Sequence, residues 1–265
     1  RQRLVAFGGT SVWELPLATG EWSALPETWA QCPFSTPTVD ATGERVLMVG
    51  GECGGVYAFS LADDRWSAPT NSPAIDSFEY GVAALDRERG RALFAFSGNL
   101  GNVATNATWQ LDLDSLDFRQ LTPDGRGPSV GEGATVVWDP VRAGVVAFGG
   151  ETERTMSHAL EASAGWRQFG HEAERIGWSP GAAYDPTSSA ILRFGSAQIN
   201  ADDQSVWSLT SKDDGAWEPL EVAPGPAGRA DNVNVYDSVR RRLVIYGGVH
   251  DPLYDLATVA MFLRM

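Results

Sequence analysis

The sequence predicts an all-β fold made of six repeated units, and three observations carry that prediction. An apolar run closed by a pair of small residues occurs six times: LVAFGG (4–9), VLMVGG (46–51), LFAFSG (93–98), VVAFGG (145–150), ILRFGS (191–196) and LVIYGG (243–248). An aromatic landmark follows each of the first five pairs, at Trp22, Trp66, Phe118, Trp166 and Trp217. Glycine is abundant and tryptophan stands at ten, with many short segments between turns, a composition suited to short strands joined by tight connections.

The spacing divides each unit. The final residues of successive pairs lie 42, 47, 52, 46 and 52 apart. From aromatic to next pair the distance is nearly constant, at 29, 32, 32, 30 and 31, whereas from pair to aromatic it runs 13, 15, 20, 16 and 21. Length variation is therefore concentrated in one connection, and in repeat folds such insertions map to loops on one face.

Four strands are read in each unit. The first ends in a turn at Asp40, Asp86, Asp139, Asp185 or Asp237, where an aspartate bonds the local backbone. The second is the apolar run, and its small pair allows positive φ and close packing at the strand end. The third carries Trp13, Tyr57, Trp109, His158 or Trp207, and the fourth begins at the landmark, as in WSAL, WSAP, FRQL, WRQF and WEPL. Four-stranded units of this length, repeated radially, make a β-propeller. The expectation is one domain over 1–265, with blades near 1–26, 34–69, 79–122, 132–170, 179–221 and 231–265.

These units resemble bacterial kelch repeats, and the whole resembles a six-bladed kelch-type propeller. APGPAGRADNVNVYDSVRRRLVIYGG (223–248) and TPDGRGPSVGEGATVVWDPVRAGVVAFGG (122–150) carry the resemblance best. Two features depart from the family pattern. The histidine often found early in the first strand is replaced by Ser35, Gly81, Ala134, Pro180 and Asn232. The tyrosine usual before the tryptophan is Leu15, Phe59 or Leu111. The resemblance bears on fold more than on function, because propellers host unrelated activities.

The formal charge of −14 argues against nucleic acid, whose binding needs clustered Lys and Arg, and against an anionic membrane surface. No apolar run reaches the roughly 18 residues of a membrane-spanning helix. Lys212 is the lone lysine against nineteen arginines, which reads as genome composition bias.

Antiparallel strands send alternate connections to opposite ends. The variable loops 9–12, 52–55, 98–107, 151–156, 196–204 and 249–256 thus share one face with the blade links 26–34, 70–80, 122–133, 170–180 and 222–232. The links contain Trp29, Phe34, Asp76, Phe78, Glu79, Tyr80, Arg126, Glu132, His171, Glu174, Arg175, Trp178, Arg229, Asp231 and Asn232. Carboxylates and arginines converging on a channel mouth suit a polar ligand, and aromatics suit stacking on a sugar or peptide. The competing reading is solvated links whose arginines make ordinary inter-blade ion pairs. The ligand-binding set expected is Trp29, Phe34, Glu79, Tyr80, Glu132, Arg175, Trp178, Arg229, Asp231 and Asn232.

Cys32 precedes the first strand of the second blade and Cys53 follows its second strand, a placement that permits a disulfide. Two unrelated small residues is the alternative. A bond would favour an oxidising compartment, so a periplasmic or secreted protein is expected, with the cytoplasm as alternative. DLDSLD (112–117) lacks the Gly and distal Glu of an EF-hand loop and reads as a solvated turn. His250 and Asp251 have no second histidine in a matching motif, so no metal and no cofactor is expected. Asn106-Ala107-Thr108 fits the short glycosylation pattern.

Two functions follow. The first is a non-catalytic binding module presenting loops to a protein, peptide or glycan, the commonest use of kelch-type repeats. The alternative is an enzyme at the channel mouth; the resemblance implies a sugar mutarotase-like precedent, which would use Glu79, Glu132, Arg175 and Arg229. A monomer is expected, since propellers leave few exposed sheet edges. RLVAFGGTSVWELPLATGEW (3–22) reads as strands two and three of the first blade, and ATVAMFLRM (257–265) as a third strand of the last. That totals 22 strands where six full blades need 24, so either the native chain extends beyond Arg1 or the first and last blades are incomplete.

Overall fold

The structure, a computed structural model, describes residues 3–8, 11–28, 36–40, 44–49, 55–67, 78–98, 107–122, 124, 133–150, 153–161, 165–169, 179–195, 205–212, 216–222, 225–249 and 260–264. Among these the chain is all-β, with no α-helix and one 3-10 turn at Arg87–Arg89. The 22 described strands form small antiparallel sheets in a propeller-like arrangement, four of them four-stranded and two three-stranded.

The first sheet contains β1 (Arg3–Gly8), β2 (Ser11–Pro16) and β3 (Ser23–Thr28). The second contains β4 (Thr36–Val39), β5 (Arg45–Val49), β6 (Val56–Ser60) and β7 (Arg65–Trp66). β8 (Phe78–Asp86), β9 (Arg91–Gly98), β10 (Ala107–Asp112) and β11 (Phe118–Leu121) make the third. β12 (Ala134–Asp139), β13 (Gly144–Gly149), β14 (Glu153–Glu161) and β15 (Gly165–Phe169) make the fourth. The fifth holds β16 (Gly181–Asp185), β17 (Ala190–Phe194), β18 (Val206–Thr210) and β19 (Glu218–Leu220). The last holds β20 (Ala230–Asp237), β21 (Arg242–Val249) and β22 (Ala260–Arg264).

Each sheet is a meander in chain order, as hairpin connections require. The first strands stand side by side: β4 beside β8, β8 beside β12, β12 beside β16, and β16 beside β20. They therefore form the inner layer, and the later strands of each sheet step outward.

The core lies between sheets rather than within them. Leu47, Val49, Val56 and Ala58 of the second sheet pack on Ala92 and Leu111 of the third. Val137, Val146 and Phe148 of the fourth meet Ile191 and Leu209 of the fifth. Leu192, Phe194 and Val206 of the fifth meet Leu243 and Ile245 of the last. The apolar run is the strand with both faces covered, so β13 and β17 are buried at every position. That explains why these runs are continuous rather than alternating.

The landmark aromatics join one sheet to the one before it. Trp66 lies 5.4 Å from Phe7, ring centre to ring centre, and Trp217 lies 4.9 Å from Phe148. Trp166 donates its indole N–H to the Thr108 hydroxyl at 3.1 Å and its backbone N–H to the Asp124 carbonyl. Trp22 of the first sheet lies 4.9 Å from Tyr246 of the last. Phe7, Phe148 and Tyr246 hold the same repeat position, directly before the small pair.

One charge sits in this apolar layer. Arg193, 1% exposed, replaces the Ala6, Met48, Ala95, Ala147 or Ile245 of the other runs. Its guanidinium lies 4.9 Å from the Trp207 ring centre and 5.1 Å from that of Trp217, where aromatic faces attract a desolvated cation.

Candidate functional site

Pairing register fixes which connections share an end. Thr36 faces Val49, Phe78 faces Gly98, Ala134 faces Gly149, Gly181 faces Phe194 and Ala230 faces Val249. Each first strand thus starts where its second strand ends, so blade links and second-to-third loops lie at one end of the sheets.

Trp29, Phe34, Glu132, Arg175 and Trp178 lie outside the described residues, as do Cys32, Cys53, His171, His250 and Asp251. Glu79 and Tyr80 fall within β8 rather than in the preceding link, and the register shifts between Glu79 and Val82. Arg229, Asp231 and Asn232 are brought together, the last two inside β20.

A backbone arc runs across the inner strands at this end. Ser179 donates its N–H to the Gly133 carbonyl at 2.8 Å, and Asp231 donates its N–H to the Ser179 carbonyl at 3.1 Å. All three residues have positive φ, at 77°, 53° and 55°. Glycine takes that conformation freely, and an aspartate or serine tolerates it through local polar contacts. Here the Ser179 hydroxyl donates to the Asp231 carboxylate at 2.5 Å. The Asp231 side chain is exposed and the Ser179 residue half-buried.

Arg229 and Asn232 point the other way. Arg229 is buried and donates to the Gly247 carbonyl at 3.1 Å and to the Ala227 carbonyl at 3.3 Å. Burial pushes its guanidinium below the usual arginine range. Asn232 donates to the Asn234 side chain at 2.7 Å and to the Phe194 carbonyl at 3.4 Å. These residues key the last sheet against the fifth. A Cβ added at Gly181 would sit 2.7 Å from the Asn232 carbonyl oxygen, and one at Gly195 would collide with the Arg229 carbonyl.

At the opposite end the aspartate turns are built as the sequence indicates, with an addition. Asp40 accepts from the backbone N–H of Glu44 and Arg45, Asp139 from Val141 and Arg142, Asp185 from Thr187, and Asp237 from Arg240. Arginines then bind the same carboxylates. Arg45, Arg91 and Arg242 reach Asp40, Asp86 and Asp237 through Nε at 2.8, 2.8 and 3.1 Å. Arg89, Arg142 and Arg240 add pairs at three-residue spacing. Sequence reading missed these partners, although an arginine three or five residues after the aspartate was a visible signal. Much of the arginine content is therefore structural.

Asp112 accepts from the N–H of Ser115 and then that of Asp114, and Ser115 above all holds its carboxyl below the usual range. Among the described residues no group of three His, Cys, Asp or Glu side chains is placed to hold a metal ion. Thr108, third residue of the glycosylation pattern, is buried against Trp166.

Fold and site together define an all-β protein of propeller-like architecture, with an exposed carboxylate on a braced inner rim. No protein-family model matches the chain, and none of the curated proteins matches its sequence. No helix among the described residues is long and apolar enough to cross a membrane.

Proposed function

We propose that the chain is a six-bladed kelch-type propeller working as a binding module, which presents the link-and-loop end to a protein, peptide or glycan. The six apolar runs and six antiparallel sheets support the blade number. The Trp22–Tyr246 contact supports it as well, because it repeats between first and last sheets the packing of Trp66 on Phe7. We assign the blades to the ranges read from the repeat spacing.

The observation that carries the binding role is the arc Gly133–Ser179–Asp231. It fixes an exposed carboxylate and a hydroxyl on bonded backbone, the rigid presentation a recognition surface needs. Arg229, which an acid-binding enzyme would aim at its substrate, instead clamps two backbone carbonyls. That geometry favours recognition over the mutarotase-like alternative.

Glycan-array and peptide-array screening tests the reading. Asp231→Ala and Glu79→Ala should each weaken a detected ligand, while Asp63→Ala, in an exposed turn at the other end, should leave it unchanged. Equal binding by all variants would remove the rim from the site. A periplasmic or secreted location is part of the proposal and rests on a Cys32–Cys53 bond. Two reactive thiols counted on unreduced protein would withdraw it.

A further inference from the structure

Three arginines of the third sheet are linked through one amide and one carboxylate. Gln110 Oε1 accepts from Arg91 Nη1 and from Arg119 Nη2, each at 3.1 Å. Arg91 also gives its Nε to Asp86, and Arg89 gives its Nη1 to the same carboxylate oxygen, at 2.8 and 3.0 Å.

Strand register explains the grouping. Arg119 of β11 faces Gln110 of β10, and Gln110 faces Leu93 of β9, two residues beyond Arg91. These side chains therefore share the face on which Leu93 and Leu121 meet Val145 and Trp166 of the fourth sheet. The cluster sits at the aspartate-turn end of that face. Gln110 is half-buried there and Arg119 exposed, while the Arg89 and Arg91 side chains are 44% and 18% exposed.

The first sheet shows what this position can hold. Glu14 faces Val5 as Gln110 faces Leu93, and Glu14 takes the aligned Arg3 in an ion pair at 2.6 Å. The other sheets place Ala58, Ala159, Ser208 and Phe262 there. In the third sheet alone an uncharged amide stands where the carboxylate would, with a second arginine opposite it. Asp86 is the one carboxylate that pairs with these arginines among the described residues. Asp112 faces Arg91 across the strands, but its carboxyl is taken by the Ser115 and Asp114 N–H groups. Guanidiniums drawn together on one neutral oxygen repel each other, and an anion set beside them removes that repulsion.

We propose that this cluster binds a small tetrahedral oxyanion, phosphate or sulfate, free or as the end group of a small molecule. Its donors are the Arg91 and Arg119 N–H groups that Gln110 and Asp86 leave over, and planar guanidiniums match such oxygens in pairs. A long polyanion is disfavoured by the net charge of −14 and by Asp114 and Asp117, both exposed in the neighbouring turn.

Sodium phosphate and sodium phenyl phosphate are the probes, titrated at an ionic strength fixed with sodium chloride. Binding is read from arginine side-chain NMR shifts and from thermal melting. Saturable binding with a raised melting temperature is expected, because a ligand that binds only the folded state stabilises it. The tighter of the two probes tells the free ion from a phosphoryl group on a larger molecule. Arg119→Gln should weaken binding by about tenfold, the loss of one charge-assisted contact. Arg65→Gln, at an exposed arginine of β7, should leave it unchanged. Gln110→Glu supplies the carboxylate from within: it should raise the melting temperature without phosphate and cancel the rise that phosphate brings. Absence of saturable binding, or equal binding by the unaltered, Arg119→Gln and Gln110→Glu proteins, would overturn the proposal. The cluster lies at the opposite end of the sheets from Asp231, so this test is independent of the array screen.

Discussion

The Trp22 ring stands 4.9 Å from the Tyr246 ring, tilted by 43°, so an aromatic near the start of the chain packs on one near its end. The pair is built like Trp66 on Phe7 and Trp217 on Phe148. Packing between consecutive sheets elsewhere needs only local chain connection. This contact instead joins the first and last sheets in chain order.

The two residues should therefore be energetically coupled. Offset or tilted aromatic pairs contribute about 0.5–1.5 kcal/mol beyond the area they bury. Urea unfolding of Trp22→Leu, Tyr246→Leu and the double variant should yield a coupling energy in that range. Strictly additive losses would show that the first and last sheets do not support each other here.

The buried aspartates of the turns should matter more than exposed ones. Asp86 is fully buried and accepts from Arg89 and Arg91 at 3.0 and 2.8 Å. Hydrogen bonds to a charged group contribute about 1.5–3 kcal/mol, although the exposure of Arg89 places its share at the lower end. Asp86→Ala should lower stability by about 2 kcal/mol, against less than about 0.5 for Asp63→Ala at an exposed turn. Equal melting temperatures for the two variants would refute the turn assignment.

Repeat periodicity made the strands legible, because the apolar runs are continuous wherever a sheet is covered on both faces. The aspartate turns were legible too, since their bonding is local. Pairing between turns and arginines was less so: Arg45 and Asp40 are close in sequence, yet the burial of Asp40, at 2% exposure, is a property of the folded sheets. Arg193 shows the limit more sharply. Its place in ILRFGS is plain in the sequence, but the two indole faces that accommodate it come from Trp207 of β18 and from Trp217, the residue before β19. Arg229 likewise reads as a ligand-binding cation until the Gly247 and Ala227 carbonyls are seen around it.

Acid should unfold the protein in a defined window. Burial opposes ionisation of Asp237, but the Arg240 backbone N–H and the Arg242 and Arg240 side chains outweigh it and hold the carboxyl below its usual range. Burial also opposes ionisation of Asp185, where Ser188, Thr187 and Tyr236 prevail. Both folded values lie below the unfolded value of about 3.9. The unfolded chain then binds more protons as pH falls, so this stability is full above about pH 5 and is lost as pH falls through the folded values. Urea midpoints measured from pH 6 to pH 3 should drop, and Asp185→Asn with Asp237→Asn should flatten the drop. An unchanged slope in the double variant would place the acid sensitivity elsewhere.

Gly195 links the fold to the proposed rim. Its φ of 83° is strained for any residue with a side chain, and an added Cβ would meet the Arg229 carbonyl and the Asn232 side chain. Gly20 has a φ of 72° with nothing within 4 Å of the added atom, so it isolates the backbone term. Left-handed strain costs about 1–2 kcal/mol, and overpacking adds about 1–3. Gly20→Ala should then lose about 1 kcal/mol and Gly195→Ala about 3. Because Arg229 and Asn232 brace the strand that presents Asp231, Gly195→Ala should also weaken the array ligand, and Gly20→Ala should not. Parallel melts and array binding of the two variants separate a braced rim from a merely stable one. If Gly195→Ala lost stability yet kept full binding, the bracing role would be refuted.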